Sequence, residues 1–434
     1  MHLGLITASH ATTTYGKQKQ LQMLSRIAAW FPPPRPPYKS ASKSKRHRSI
    51  SSSSSFADKE KQKRKPLFAS SIIQEILLGL KCVSKGWHRL ISDLSFIRVQ
   101  LERSQTISGF FFQERFHWCD EDIESLSYLP VGMEQAVVQN NILDFLPENV
   151  VIKSSSNGLL CCRSCLPAQD PVIYVCNPSI KEWVKLNWAK PDKNDSFALA
   201  FNPLSHLVDI CKDFKVVSIH QTETETNSYL SIKIYSSETG AWKTLEEAYE
   251  CCYNLFKNHG IFASGYLNWL TDGHHILAFN IEKEQVQLIE LPSTIVSFKD
   301  IPEMCIGESG GHLHYIRISG AGLQVWFLEN YAEPEWVPKC FVPLDGLERE
   351  NPQFLFKVSL KVARRMTIDE ISWMDPLAFQ DDLLFMRVSS KIYQYDLQTM
   401  KMKELCTLEV LGRNSLVGPT VLPYSMSLVP LGHH

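Results

Sequence analysis

Apolar side chains recur along residues 72–91 at steps of one, three and four: Ile72, Ile73, Ile76, Leu77, Leu80, Val83, Trp87, Leu90 and Ile91. That spacing puts them on one face of an amphipathic α-helix. Ser71 followed by Gln74 fits a capping box at its start. Gly79, Ser84 and Gly86 are the weak points where such a rod would bend. The pattern predicts one continuous helix across the stretch.

From about Val151 the texture changes to short runs rich in β-branched and aromatic residues, interrupted by polar turns. Residues 174–183, 233–242, 277–286 and 393–402 align on one another. In each, a strand ends at Asn177, Ser236, Asn280 or Asp396. A large apolar residue, Trp183, Trp242, Val286 or Met402, opens the return strand six positions later. The polar residue at the strand end is expected to bond to main-chain amides of the turn. A looser fifth copy runs from Leu323 to Pro338, and preparatory strands precede the hairpins at 214–219, 260–270, 311–316 and 383–388. The copies recur at roughly the 40–50 residues of a propeller blade. A single hairpin cannot bury its own apolar face, so the copies must stack. The predicted fold is mainly β: a β-propeller-like domain of repeated antiparallel hairpins, preceded by a short α-helical module.

Two stretches carry a family likeness. The string Lys81-Cys82-Val83-Ser84-Lys85-Gly86-Trp87-His88-Arg89-Leu90-Ile91-Ser92-Asp93-Leu94-Ser95-Phe96 resembles the second half of the plant F-box, and residues 68–80 resemble its first helix. Phe68-Ala69 stands where the family has Leu-Pro. A turn and the start of the second helix, which the family places between the positions matching Leu80 and Lys81, are missing. Farther along, Ser156-Asn157-Gly158-Leu159-Leu160-Cys161, Val175-Cys176-Asn177-Pro178, Ala198-Leu199-Ala200-Phe201-Asn202-Pro203 and Gly265-Tyr266-Leu267-Asn268-Trp269-Leu270 resemble the F-box-associated domain, a kelch-like, propeller-like module.

The resemblance implies a substrate-recognition subunit of a Skp-cullin-F-box type ubiquitin ligase. The β domain would capture a target protein, and the helical motif would hold a Skp-type adaptor and through it a cullin. The adaptor-binding residues it implies are Ile72, Ile73, Ile76, Leu77, Leu80, Val83, Trp87, Leu90 and Ile91, flanked by solvated Lys85 and Arg89. A fused helix would not present a compact three-helix wedge. The alternative is therefore a propeller interaction scaffold that has lost adaptor binding.

Charge divides the chain. Residues 1–65 hold fourteen Lys and Arg against Asp58 and Glu60, a net of +12, which leaves −13 for the remainder of a chain with overall charge −1. This Pro- and Ser-rich leader lacks the apolar content to order itself. It fits a solvated tail, a nuclear-import patch at Lys61-Gln62-Lys63-Arg64-Lys65, or an organellar transit peptide. Nucleus and cytoplasm are the expected sites of action. The division predicted is a leader at 1–65, an F-box-like motif at 66–104, a connecting segment at 105–150 and the β domain at 151–430. No apolar run approaches the ~20 residues that span a bilayer, so no membrane partner is expected. A basic tail without folded aromatic interleaving gives little reason to expect nucleic acid.

Candidate chemistry is sparse. Cys162 and Cys165 have half of a zinc-site spacing, but Gly158-Leu159-Leu160-Cys161-Cys162 reads as a buried strand with cysteine as a small apolar residue. Cys251 and Cys252 read as core or surface. His274-His275 and the pair His312 and His314 are the remaining ligand candidates, with surface or loop positions expected. The sequence lacks Gly-x-Ser-x-Gly, phosphate-loop and His-Glu-x-x-His patterns, so no catalytic residue, metal or cofactor is expected. The connections at Asn187 to Asp195, Gln221 to Asn227 and Glu329 to Glu335 are candidate target-binding loops.

Overall fold

The computed structural model describes residues 76–77, 79–103, 107–113, 122, 126–131, 138–187, 195–206, 209–223, 228–246, 249–251, 253–255, 259–292, 303–357, 374–411 and 420–431. All belong to one compact unit, Lys65–His434. The leader, Ile72, Ile73 and the Ser71–Gln74 capping pair lie outside the described residues.

The continuous helix does not form. Residues 76, 77 and 79–81 are helical, then the chain turns at Cys82-Val83. The amides of Cys82 and Val83 bond three residues back, to the carbonyls of Gly79 and Leu80, which tightens the helix end. Ser84 is extended (φ −159°, ψ 156°) and its hydroxyl accepts from the Trp87 amide, so it caps a new helix, α1 (Lys85–Ile91). Apolar periodicity had favoured one rod. A serine that caps satisfies an orphan helix amide, which a serine in a helix interior cannot do. Asp93 then caps α2 (Leu94–Arg103) through the amides of Ser95 and Phe96. Those bonds, led by the one from the Ser95 hydroxyl, hold its carboxyl below the usual range.

The rest is a ring of antiparallel meanders. β1 (Gly109–Gln113) and β2 (Leu126–Pro130) come first. Among the described residues, five four-stranded units follow: β3 (Val150–Ser156) to β6 (Glu182–Leu186), β7 (Ser196–Phe201) to β10 (Ala241–Thr244), β12 (Ile261–Ala263) to β15 (Gln285–Glu290), β16 (Glu303–Ser309) to β19 (Glu335–Pro343), and β20 (Met374–Gln380) to β23 (Lys401–Thr407). β11 (Tyr249–Glu250) adds to β9 (Ser228–Ser236). Helix α3 (Leu344–Glu350) follows β19, and α4 (Leu408–Leu411) follows β23.

Strands β3, β7, β12, β16, β20 and β24 (Thr420–Tyr424) touch in cyclic order around the axis. The ring closes where β24 pairs with β1, from Gly109↔Tyr424 to Gln113↔Thr420. Residues 105–150, expected only to connect, thus supply two strands to the propeller. The mainly β, propeller-like expectation is met.

Burial explains the layering. Inner strands such as β7 are buried throughout, because neighbouring sheets cover both faces. Outer strands such as β6 alternate exposed with partly buried positions. Three of the four aligned hairpins show the predicted side-chain bond, while at Ser236 the main-chain carbonyl accepts from the Gly240 amide instead. Asn177, Asn280 and Asp396 accept main-chain amides of their turns through Oδ1, and Asn330 does the same in the looser copy. The eighth position of each aligned segment, Lys181, Gly240, Glu284 or Met400, is left-handed, with φ between 55° and 64°. That conformation turns the chain into the return strand.

Candidate functional site

The helical module packs onto the first two blades. Leu77, Ile91 and Ile97 enter a core shared with Leu159, Phe201, Phe214, Leu428 and Val429, with Leu80 and Trp87 half-buried against it. Each fully buried side chain of this size contributes about 1.5–3 kcal/mol. Arg98 ties α2 to the loop after β7, its Nη1 donating to the carbonyls of His206 (2.9 Å) and Asp209 (3.1 Å). Lys81 is partly buried, which lowers its pKa, and the nearby Glu182 carboxylate opposes that shift.

The nine residues assigned to adaptor binding are thereby divided. Leu77 and Ile91 are buried, while Ile76, Leu80 and Trp87 are half-buried. Val83 and Leu90 are each 49% exposed, joined by Leu94 at 42%. The basic residues Lys85 and Arg89, expected to be solvated, are exposed on α1, the helix that carries Leu90.

The second feature is a central cavity of about 680 Å³ at the hub, walled by residues at the ends of all the inner strands. Tight turns ring it. Asn157-Gly158, Ser264-Gly265, Gly310-Gly311 and Asp381-Asp382 each have positive φ at both central residues, the mirror-image turn that matches strand twist. Leu101 of α2 also reaches its wall.

Among the described residues, two carboxyls line this cavity. Glu308 is the penultimate residue of β16, and its Oε1 accepts the Gly311 amide at 2.7 Å. Asp381 follows β20, and its Oδ2 accepts the Ile107 amide at 2.8 Å. The Asp381 amide donates to the Glu308 carbonyl, which holds the two residues side by side. Burial, then the Glu308 charge, push the Asp381 carboxyl up to about 7. Burial also raises Glu308. The adjacent Asp382 differs. Burial would raise it, but bonds from Gln398, Lys339 and Ser309 prevail and hold it low.

The sequence offered little pointer to Glu308 and Asp381. The only local signal was an acid just before the Gly310-Gly311 turn and another within the Asp381-Asp382 turn.

The other candidates take structural places. His314, expected at a surface or loop, is buried. Its Nδ1 donates to the His312 carbonyl and its Nε2 faces Lys339 Nζ at 3.0 Å. Burial and then Lys339 lower its pKa to about 4, so the imidazole is neutral. His312 is exposed, so the two imidazoles lie in different surroundings. His275 bonds the Gly273 carbonyl and stacks on Tyr253. Cys161 and Cys162 are buried, and burial pushes the Cys161 thiol up to about 12. Cys165 is half-buried and Cys251 is buried, whereas Cys252 lies outside the described residues. Among the described residues, no three His, Cys, Asp or Glu side chains group as metal ligands. Much of the first two candidate loops, 188–194 and 224–227, also lies outside the described residues, and the third is the turn between β18 (Gly322–Asn330) and β19.

Residues 136–342 match the family model described as "F-box protein At3g26010-like, beta-propeller". F-box protein At5g49610 of Arabidopsis thaliana is 29% identical over 296 residues, 62% of this chain and 77% of that protein. F-box protein At3g26010 of the same plant is 26% identical over 277 residues, 59% of this chain and 62% of its own length. Among solved structures, Porphyromonas gingivalis dipeptidyl peptidase 4 covers 68% of this chain and 43% of its own, with 10% identity and a TM-score of 0.32. AztD from Citrobacter koseri covers 73% and 76%, with 12% identity and a TM-score of 0.28. Those two likenesses are too loose to bear on function. The chain therefore carries a β-propeller domain similar to that of proteins named F-box proteins.

Proposed function

We propose that this protein is the substrate-recognition subunit of a Skp-cullin-F-box type ubiquitin ligase, acting in nucleus or cytoplasm and performing no catalysis itself. The propeller holds a target protein, and the helical module holds the adaptor. Target lysines are then kept at high effective concentration near a conjugating enzyme on another polypeptide. The observation that carries this reading is the propeller-family match joined to an F-box-like helical module that leaves Val83 in its turn, Leu90 on α1 and Leu94 on α2 exposed.

The outward residues are the adaptor contact in this reading. Leu77 and Ile91 support them from beneath, because the propeller core already occupies both side chains. That same burial favours a second reading, a propeller scaffold whose helices serve only its own core. Co-purification of the full chain with a Skp-type adaptor and a cullin separates the two. Recovery of both, lost on Leu90→Asp with the melting temperature unchanged, supports the ligase subunit. Absence of adaptor from the intact chain supports the scaffold.

A further inference from the structure

We propose that the hub cavity is the target-capture pocket and that its occupant is a positively charged side chain, Lys or Arg, carried on an extended segment of the target protein. This rests on the propeller being the target-binding half of the molecule.

The argument starts from charge and space. The cavity wall includes the Glu308 and Asp381 carboxyls but no Lys or Arg among the described residues. Each carboxyl accepts one main-chain amide, and no ion pair among the described residues engages either. Asp382, one residue away, is by contrast paired with Lys339. Two adjacent carboxyls in a partly dry site are unfavourable when ionised, and a cation placed between them relieves that cost.

The remaining wall fits the stem of such a side chain. Leu204, Ile261, Phe262 and Met426, each partly exposed, supply apolar surface, and a Lys or Arg stem packs along surface of that kind while its head reaches polar groups. The volume of about 680 Å³ exceeds one side chain, so the neighbouring main chain of the target enters as well. Asn202 and Gln380 add amide groups to the wall for it to meet. A bare divalent ion would require more ligands than these two carboxyls, and no three-residue ligand group accompanies them among the described residues.

The test uses the full chain and a fluorescent Gly-Ser peptide with one central Arg, compared with its citrulline twin, which keeps the shape and loses the charge. The Arg peptide is expected to bind more tightly by about tenfold, the equivalent of about 1.4 kcal/mol. The preference should vanish in Glu308→Gln combined with Asp381→Asn and persist in Glu335→Gln, an exposed acid on an outer strand. Melting curves establish that each variant is folded. Should the double variant not fold, Glu308→Gln alone is read, and the Arg-to-citrulline ratio of the parent stands independently of any variant.

Equal binding of the two peptides, no binding of either, or a preference that survives the cavity substitutions overturns the proposal. Displacement of the Arg peptide by calcium chloride, but not by sodium chloride of equal ionic strength, also overturns it and assigns the cavity to a metal. Adaptor recovery from the same preparation keeps the two readings apart. Adaptor retained without Arg preference removes the pocket alone. Arg preference without adaptor removes the ligase reading and leaves the pocket.

Discussion

Gly307 lies directly against the main chain of Phe379: a Cβ at Gly307 would stand 2.0 Å from the Phe379 carbonyl oxygen. These residues are register partners in the parallel pairing of β16 with β20, which joins two blades into one eight-stranded sheet. The same junction sets Glu308 beside Asp381 at the cavity. Gly307→Val is expected to lower unfolding free energy by about 3 kcal/mol or more, through overpacking against main chain that has no room to retreat. A denaturant midpoint close to that of the parent would show that the inner strands are not held this tightly.

The helical module yields a paired prediction. Ile91→Ala removes a side chain from the shared core and should cost about 2–4 kcal/mol. Leu90→Ala, on the exposed face, should change stability by no more than about 0.5 kcal/mol. Equilibrium denaturation of both variants checks the assignment. Similar losses at both positions would mean that Leu90 is covered as well.

Asp381 gives a pH dependence with a definite sign. Its folded pKa, about 7, lies above its unfolded value, so the folded protein binds the extra proton between the usual carboxylate range and pH 7. The stabilisation is therefore full below that range and is lost as pH rises toward 7. His314 works oppositely, since its pKa is lowered to about 4 and acid conditions penalise the folded state. Glu308, Asp382 and Lys339 act in the same neighbourhood and are common to parent and variant. The quantity to read is thus the difference between parent and Asp381→Asn. The stability of the parent relative to the variant should fall as pH rises from 5 to 7, and a flat difference would contradict the buried, proton-holding carboxyl.

The hairpin turns predict a stabilising change. Met400 holds φ of 57° at the position where the aligned copy has Gly240. Left-handed geometry costs a side chain about 1–2 kcal/mol, and glycine recovers part of this against its own unfolded-state entropy. Met400→Gly is expected to raise stability by about 0.5 kcal/mol, read as a higher melting temperature. A clear decrease would mean that the half-exposed Met400 side chain makes contacts that outweigh the backbone term.

Much of this architecture is legible in local spacing. Asn177, Asn280 and Asp396 sit at equivalent places because each organises its own turn within three residues, and such short-range bonds leave a repeating mark. The helical stretch was harder. Its apolar period from Leu77 to Ile91 spans a real break, since Ser84 starts a new helix and the two halves reach the same core from different directions. Periodicity records which side chains want burial but not which surface receives them, so it could not separate inward Ile91 from outward Leu90.

By itself the sequence determined the hairpins, their turns and the need for them to stack, because those depend on neighbours a few residues apart. Only the tertiary structure decided the closure of Gly109 onto Tyr424, the burial of Leu77 and Ile91 against the blades, and the meeting of Glu308 with Asp381. Each of these joins residues far apart in the chain, whose proximity comes from closing the ring and leaves no periodic trace in the order of amino acids.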